Sequence, residues 1–268
     1  MADESVVGSI VSLWRYPVKS MMGEELNASE VTDSGLLGDR AYALVDAETG
    51  KIISAKLPRK WGILFDCRAA LNSPLQVKIT LPDGEVVMGD TADVDRILST
   101  TFGRKVKLET AAPENPSIEM YAPDIEGLPD ADAETNADIR PSTFFDAATV
   151  HLLTTATLNQ LQSLTPTSRF ETRRFRPNLV IQPANNATGF VENNWVGKTL
   201  AIGNDVRLKI TEPCPRCVMT TMPQGELPKD LEILHTAVKH NDGHIGIYAN
   251  VLQGGTIRRG DTVEIVTG

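Results

Sequence analysis

Apolar and polar side chains alternate strictly over 75–81, with Val77, Ile79 and Leu81 on one face and Gln76, Lys78 and Thr80 on the other. A two-residue period of this kind predicts a half-buried strand. The turn Pro82-Asp83-Gly84 follows, and Glu85-Val86-Val87-Met88 supplies the return strand of a hairpin. Further strands are predicted at 6–14, 41–46, 50–54 and 62–69. The period changes over 91–102, where Val94, Ile97, Leu98 and Phe102 keep helical spacing and Gly103 closes the run.

The second half repeats this texture. A strand is predicted at 148–153, a short helix from Thr155 to Leu164, and an apolar strand from Asn178 to Gln182 after Pro177. A second hairpin joins Thr199–Ile202 to Val206–Ile210 through Gly203-Asn204-Asp205. A helix at 230–239 places Leu231, Leu234 and Val238 on one face, and strands close the chain at 244–251 and 261–266. Between the halves, residues 109–139 hold nine acidic residues, no Lys or Arg, and Pro113, Pro116, Pro123 and Pro129. That composition predicts a solvated linker or mobile surface loop, and the domain boundary is expected near it. Many short alternating strands with few helices predict a mainly β (α+β) protein of two β-barrel-like units.

Composition narrows the function. The 268 residues suffice for one large domain or two modest ones, and 41% hydrophobic content is ordinary for a globular chain. No apolar run approaches the roughly 18 residues of a spanning helix. The start MADESVVGSI lacks the pattern of a secretion signal, so a cytoplasmic protein with no membrane partner is expected. Lys plus Arg number 26 against 35 Asp plus Glu, a net charge of −9, which argues against a nucleic-acid partner. An anionic ligand would need a local cluster of cations.

Three segments could supply chemistry. Pro213-Cys214-Pro215-Arg216-Cys217 follows a predicted strand, and a C-x-x-C pair there suits a soft metal or a redox role, with Arg216 favouring an ionised sulfur. A zinc set would need His235, His240 or His244, but the gap of 17 residues from Cys217 to His235 exceeds the usual spacing of roughly 12–15. The second segment packs Arg169, Arg173, Arg174 and Arg176 into eight residues, followed by Pro177-Asn178. Guanidinium forks suit phosphate, and Asn adds a donor and an acceptor. The third is Tyr16-Pro17-Val18-Lys19-Ser20, with Gly38-Asp39-Arg40 a hairpin later. No Walker A, G-x-G-x-x-G, H-E-x-x-H or G-x-S-x-G pattern occurs, so a phosphate would be held by scattered basic side chains and loop amides.

In this order the three segments resemble the MOSC family, here with its N-terminal β-barrel partner domain. The matching residues are Val7-Gly8-Ser9-Ile10, Leu13-Trp14, Tyr16–Ser20, Gly35-Leu36, Asp39-Arg40, Phe175–Ile181, Cys214–Cys217 with Thr220-Thr221, and Gly255-Thr256-Ile257 with Gly260-Asp261. The resemblance implies an N-terminal domain over 1–120, a MOSC domain over 121–268 and a molybdenum–molybdopterin cofactor in the cleft between them. It implies that Cys217 is the metal ligand and the catalytic residue. It also implies that Lys19, Ser20, Arg40, Arg176 and Asn178 hold the phosphate and pterin, with Pro215 and Arg216 lining the site. Thr155 and Thr157 fall at a looser match, a polar contact at a helix start. The activity implied is reduction of N-hydroxylated compounds, with electrons from a separate ferredoxin-, cytochrome b- or flavin-type protein. The alternative is a cofactor or sulfur carrier in cofactor maturation without turnover. Neither pyridoxal phosphate nor an iron–sulfur cluster is expected, since three Cys cannot supply a four-thiolate cluster.

Overall fold

A computed structural model describes residues 5–73, 76–126 and 132–266. Seven strands close a barrel in the order Leu179–Pro183, Val150–Thr154, His244–Gln253, Val206–Pro215, Thr199–Ile202, Thr262–Ile265 and Val6–Arg15. Closure is made by Val6–Arg15, which pairs with Thr262–Ile265 on one side and with Leu179–Pro183 on the other. Val150–Thr154 runs parallel to Leu179–Pro183, and the crossover that parallel pairing requires contains the helix Thr155–Leu164. The fold is therefore mainly β, with a few short helices.

The first strand belongs to this barrel although it opens the chain. Ile10 and Leu13 pack among Leu152, Leu179, Leu208 and Ile247 in the barrel core. The chain then leaves the barrel at Arg15 and enters the first-half core, where Val18, Leu44, Trp61, Leu64, Ile79 and Leu98 cluster. Tyr16–Ser20 therefore crosses the seam between two hydrophobic cores, where a loop has side chains from both units within reach.

Several predicted elements stand. The hairpin joins Gln76–Thr80 to Val86–Met88, the strands Val6–Arg15 and Ala43–Asp46 form, and the helix Val94–Phe102 ends at Gly103 with φ +63°. A left-handed residue is the conformation glycine favours at a helix end.

Others differ. Residues 50–54 form no strand; Ile52 makes only single bridges to Val45 and Ile118. Over 62–69 the chain is helical first, with Pro58–Trp61 and the 3-10 turn Gly62–Asp66, and a strand begins only at Arg68. Trp61, Leu64 and Phe65 are all buried, the i, i+3, i+4 spacing of a helical face, and Pro58 suits a helix start.

The acidic segment is not a linker where the structure describes it. Ser117–Ala122 pairs antiparallel with Ala133–Asp138, while Pro129 and the rest of 127–131 lie outside the described residues. Ile118, Ile139 and Phe144 pack with Ala43 and Ile52, and the outward acids meet Lys51, Arg59 and Lys60 through Glu119 and Glu134. One buried apolar row thus outweighs the charge of its neighbours. Among the described residues, no helix is long and apolar enough to cross a membrane.

Candidate functional site

A cavity of about 360 Å3 opens at the seam. Its wall brings together Lys19, Ser20, Arg40, Arg176, Asn178, Pro215, Arg216 and Cys217, so eight of the ten site residues implied by the resemblance converge. Thr155 and Thr157 do not reach it. Thr154 caps the helix Thr155–Leu164, and the hydroxyls of Thr154 and Thr157 both donate to buried Glu192, at 2.7 Å. Thr155 instead donates to Gln182, on the exposed side. A helix start was correctly expected there, but its hydroxyls face a carboxylate inside the C-terminal half. A larger groove of about 560 Å3, bordered by Trp14, Arg68, Phe170 and Arg173, holds no cysteine, and its Arg173 is engaged by Glu171 and Glu226.

Backbone conformation sets the cationic side. Ser20, Arg40 and Arg176 have φ of +67°, +51° and +55°. Side chains enter this left-handed region only at a cost of about 1–2 kcal/mol, and such strain concentrates where function fixes a side chain. Arg176 takes it directly after the short helix Thr172–Phe175, and Pro177 then prevents further winding.

Two guanidinium groups lie over the buried Tyr16 ring, Arg40 at 4.4 Å and Arg176 at 4.2 Å from its centre. Asp39, whose side chain is fully buried, accepts from the Tyr16 amide at 2.7 Å, from Arg40 at 2.6 Å and from Asn178 Nδ2 at 2.9 Å. Asn178 also donates to the Trp14 carbonyl and accepts from the His151 amide, so it knits the seam together as well as lining the cavity. Burial and the neighbouring Arg40 push Arg176 down to about 9. Its Nη1 donates to the Met21 carbonyl at 2.6 Å, while its Nη2 is buried without a partner.

Lys19, Asp146 and Lys56 form a second charged group. Lys19 donates to the Phe144 carbonyl at 2.8 Å and to Asp146, and Lys56 reaches the other Asp146 oxygen at 3.0 Å. Asp146 keeps an exposed edge, yet the protein mass around it works against its charge. Lys19 and Lys56 outweigh that effect and hold its carboxyl well below the usual carboxylate range. A carboxylate depressed on folding stabilises the protein above its unfolded pKa, and that contribution is lost as pH falls through and below that value. Between pH 6 and pH 3, the thermal midpoint of the wild type is expected to fall more steeply than that of Asp146→Asn. Parallel slopes in differential scanning calorimetry would remove Asp146 from this role.

The sulfur side rests on the end of the strand Val206–Pro215. The two cysteines diverge. Cys214 is buried, and Arg216 Nη1 donates to its Sγ at 2.7 Å while Nη2 donates to the Phe175 carbonyl. Cys217 is half-buried and lines the cavity, with both the amide and the hydroxyl of Thr220 donating to its carbonyl. The expected help from Arg216 therefore goes to the first cysteine. Burial opposes the Arg216 charge, but Cys214, Tyr248 and Cys217 outweigh it and hold the guanidinium above its ordinary value. Its Nε is buried and unpartnered. Among the described residues, no three His, Cys, Asp or Glu side chains gather as a metal cluster, so the alternative zinc set is not assembled.

Lys56, Asp146, His151 and Tyr248 also line the cavity and lie outside the three segments picked out from the sequence. No local motif marks Lys56 or Asp146; they meet only because the acidic segment folds back onto the first unit. Burial and Arg216 push His151 down to about 3, leaving it neutral, with Nε2 at 3.2 Å from the Ile245 carbonyl. Gly246, at φ +79°, lets this ring fit, since a Cβ there would stand 2.4 Å from His151 Nε2.

The arrangement suits an anionic group that also carries a thiophilic metal. Two orphaned guanidinium N–H atoms and an excess of cations call for an anion, and Cys217 offers one soft ligand. Two family models, which together match most of the chain, define the class: the chain belongs to the MOSC family. The family model "MOSC domain" matches residues 140–264, and "MOSC N-terminal beta barrel domain" matches 7–116. The chain is similar to mitochondrial amidoxime reducing component 2 of Rattus norvegicus, 25% identical over 96% of this chain and 83% of that protein. It is also similar to mitochondrial amidoxime-reducing component 1 of Mus musculus, 27% identical over 97% and 83%. Among solved structures, the YuaD protein from Bacillus subtilis aligns with a TM-score of 0.47 at 11% identity, covering 97% of this chain and 95% of that one.

Proposed function

We propose that this protein is a molybdenum-cofactor-dependent oxidoreductase that reduces N-hydroxylated compounds, taking electrons from a separate redox protein. The observation that carries this reading is the joining of a cavity-facing thiol, Cys217, to an oversupplied cationic wall with two unpartnered guanidinium N–H atoms. The relatives named for amidoxime reduction, aligned over nearly the whole chain, support it further.

Cys217 would be the protein's ligand to molybdenum. Arg176, Arg40 and Lys19 would hold the cofactor's anionic phosphate, with Arg216 and the Ser20 turn against the pterin. When bound, the molybdenum–pterin group supplies a two-electron centre for cleaving an N–O bond. Reduction of an N-hydroxyl group to N–H consumes two electrons and two protons and releases water. The chain's own residues bind, orient and screen. Asp39 and Asn178 fix the cationic wall, and Asp146 holds the Lys19 and Lys56 ammoniums against the cavity. Phe144, Phe145, Met120 and Met219 add apolar surface that limits water in the cavity.

The direct test supplies purified protein, made in a host that synthesises the cofactor, with a reduced viologen and an N-hydroxylated amidine. Stoichiometric amidine formation is expected. Cofactor-loaded protein that forms none with strong donors would favour the carrier role.

A further inference from the structure

Arg174 is among the most deeply buried large side chains in the protein, 1% exposed, yet no carboxylate lies within ion-pair distance of it among the described residues. Instead it spends four N–H bonds on backbone carbonyls. Nε donates to Arg169 at 3.0 Å, Nη1 to Thr220 at 3.1 Å and Met222 at 3.2 Å, and Nη2 to Pro228 at 2.9 Å. Burying a cation with no carboxylate at ion-pair distance is costly, and Asp230 and Glu171 offset that burial only from further away, so the four backbone acceptors are what hold the guanidinium in place.

What the four bonds join is specific. Arg174 stands two residues before Arg176, in the short helix whose left-handed end aims that guanidinium at the cavity. Three of its acceptors lie in the segment after Cys217. Thr220 is the nearest link, because its carbonyl accepts from Arg174 while its amide and hydroxyl grip the Cys217 carbonyl at 3.2 and 3.0 Å. We propose that Arg174 is the positioning residue that locks the thiol-bearing turn at Cys217 to the cation-bearing turn at Arg176, setting their separation for one shared ligand. The proposal rests on Cys217 being the metal ligand, but its test does not. The planar fork is the feature that matters, since a lysine ammonium cannot span carbonyls from four residues.

The test measures the alkylation rate of each cysteine, by iodoacetamide and peptide mass mapping, on protein made without the cofactor. In the wild type Cys217 reacts, while Cys214 and Cys67 are buried. In Arg174→Ala the Cys217 rate is expected to rise about five-fold or more, with Cys67, in the first-half core, unchanged. Added guanidinium at low millimolar concentration restores the wild-type rate to Arg174→Ala, and Arg174→Lys stays fast. A folded Arg174→Ala protein with an unchanged Cys217 rate would overturn the proposal. So would a parallel rise at Cys67, which means general loosening. Should the alanine variant not fold, Arg174→Lys carries the same comparison. Molybdenum content of the wild type is read separately, so a failure of the functional reading stays distinct from a failure of this one.

Discussion

Cys217→Ser is expected to abolish N-hydroxyl reduction while leaving the fold intact. Serine keeps the shape but replaces a soft thiolate donor with a hard hydroxyl, a poor partner for a thiophilic metal. Groups that merely support a ligand are worth about 10–100-fold in affinity or activity, and removal of the ligand itself should exceed about 100-fold. Stability should shift by no more than about 1 kcal/mol, because Cys217 is half-buried and its turn is held through its carbonyl rather than its sulfur. Reduction rates and molybdenum content of the two proteins check this. Retained turnover in the serine variant would show that the sulfur is dispensable. The corresponding change at Cys214 is predicted to act differently, by leaving Arg216 Nη1 without its sulfur partner.

Asp39→Ala is expected to cause the largest loss of stability among the seam residues. The Asp39 side chain is fully buried and satisfies three donors at once: the Tyr16 amide, Arg40 and Asn178. Removing the carboxylate strands all three and leaves the Arg40 and Arg176 charges stacked on Tyr16 without it. Breaking a buried pair on one side costs about 3–5 kcal/mol. For a chain of this size that is a fall of roughly 10 °C in the thermal midpoint. Asp39→Asn should recover part of it, since an amide oxygen still accepts from the Tyr16 amide. Calorimetry of the two variants decides the matter. Equal, small losses would mean that Asp39 is not what holds the Tyr16, Arg40 and Asn178 segments together.

Much of this architecture was legible in the chain. The two-residue period over 76–80 and the hairpin from Thr199 to Ile210 appear as read: Val77 and Ile79 are buried with Lys78 outward, and Val206, Leu208 and Ile210 are buried with Lys209 outward. The run at 62–69 was not legible. Ile63, Leu64 and Phe65 form a short unbroken apolar stretch, which fits a buried strand and a helix equally well, and only Trp61 and Pro58 tip it toward helix. The acidic segment misled because nine carboxylates in 31 residues mask the buried Ile118, Ile125 and Ile139.

The site divides the same way. Residues carried by short motifs, such as Lys19-Ser20 or Arg176-Pro177-Asn178, could be found because sequence neighbours stay neighbours. Lys56, Asp146, His151 and Tyr248 come from four separate segments, and their meeting is a property of the fold. Nor could spacing reveal that the two cysteines part company. That follows from the strand end at Pro215: Cys214 still lies within the strand and faces inward, where Arg216 reaches it, while Cys217 lies beyond the end and lines the cavity.

The central claim is most directly tested by the molybdenum and zinc content of protein purified from a host that makes the cofactor. Molybdenum near one atom per chain, retained through gel filtration and lost in Cys217→Ser, is the predicted result. Zinc near one atom per chain with no molybdenum would contradict it.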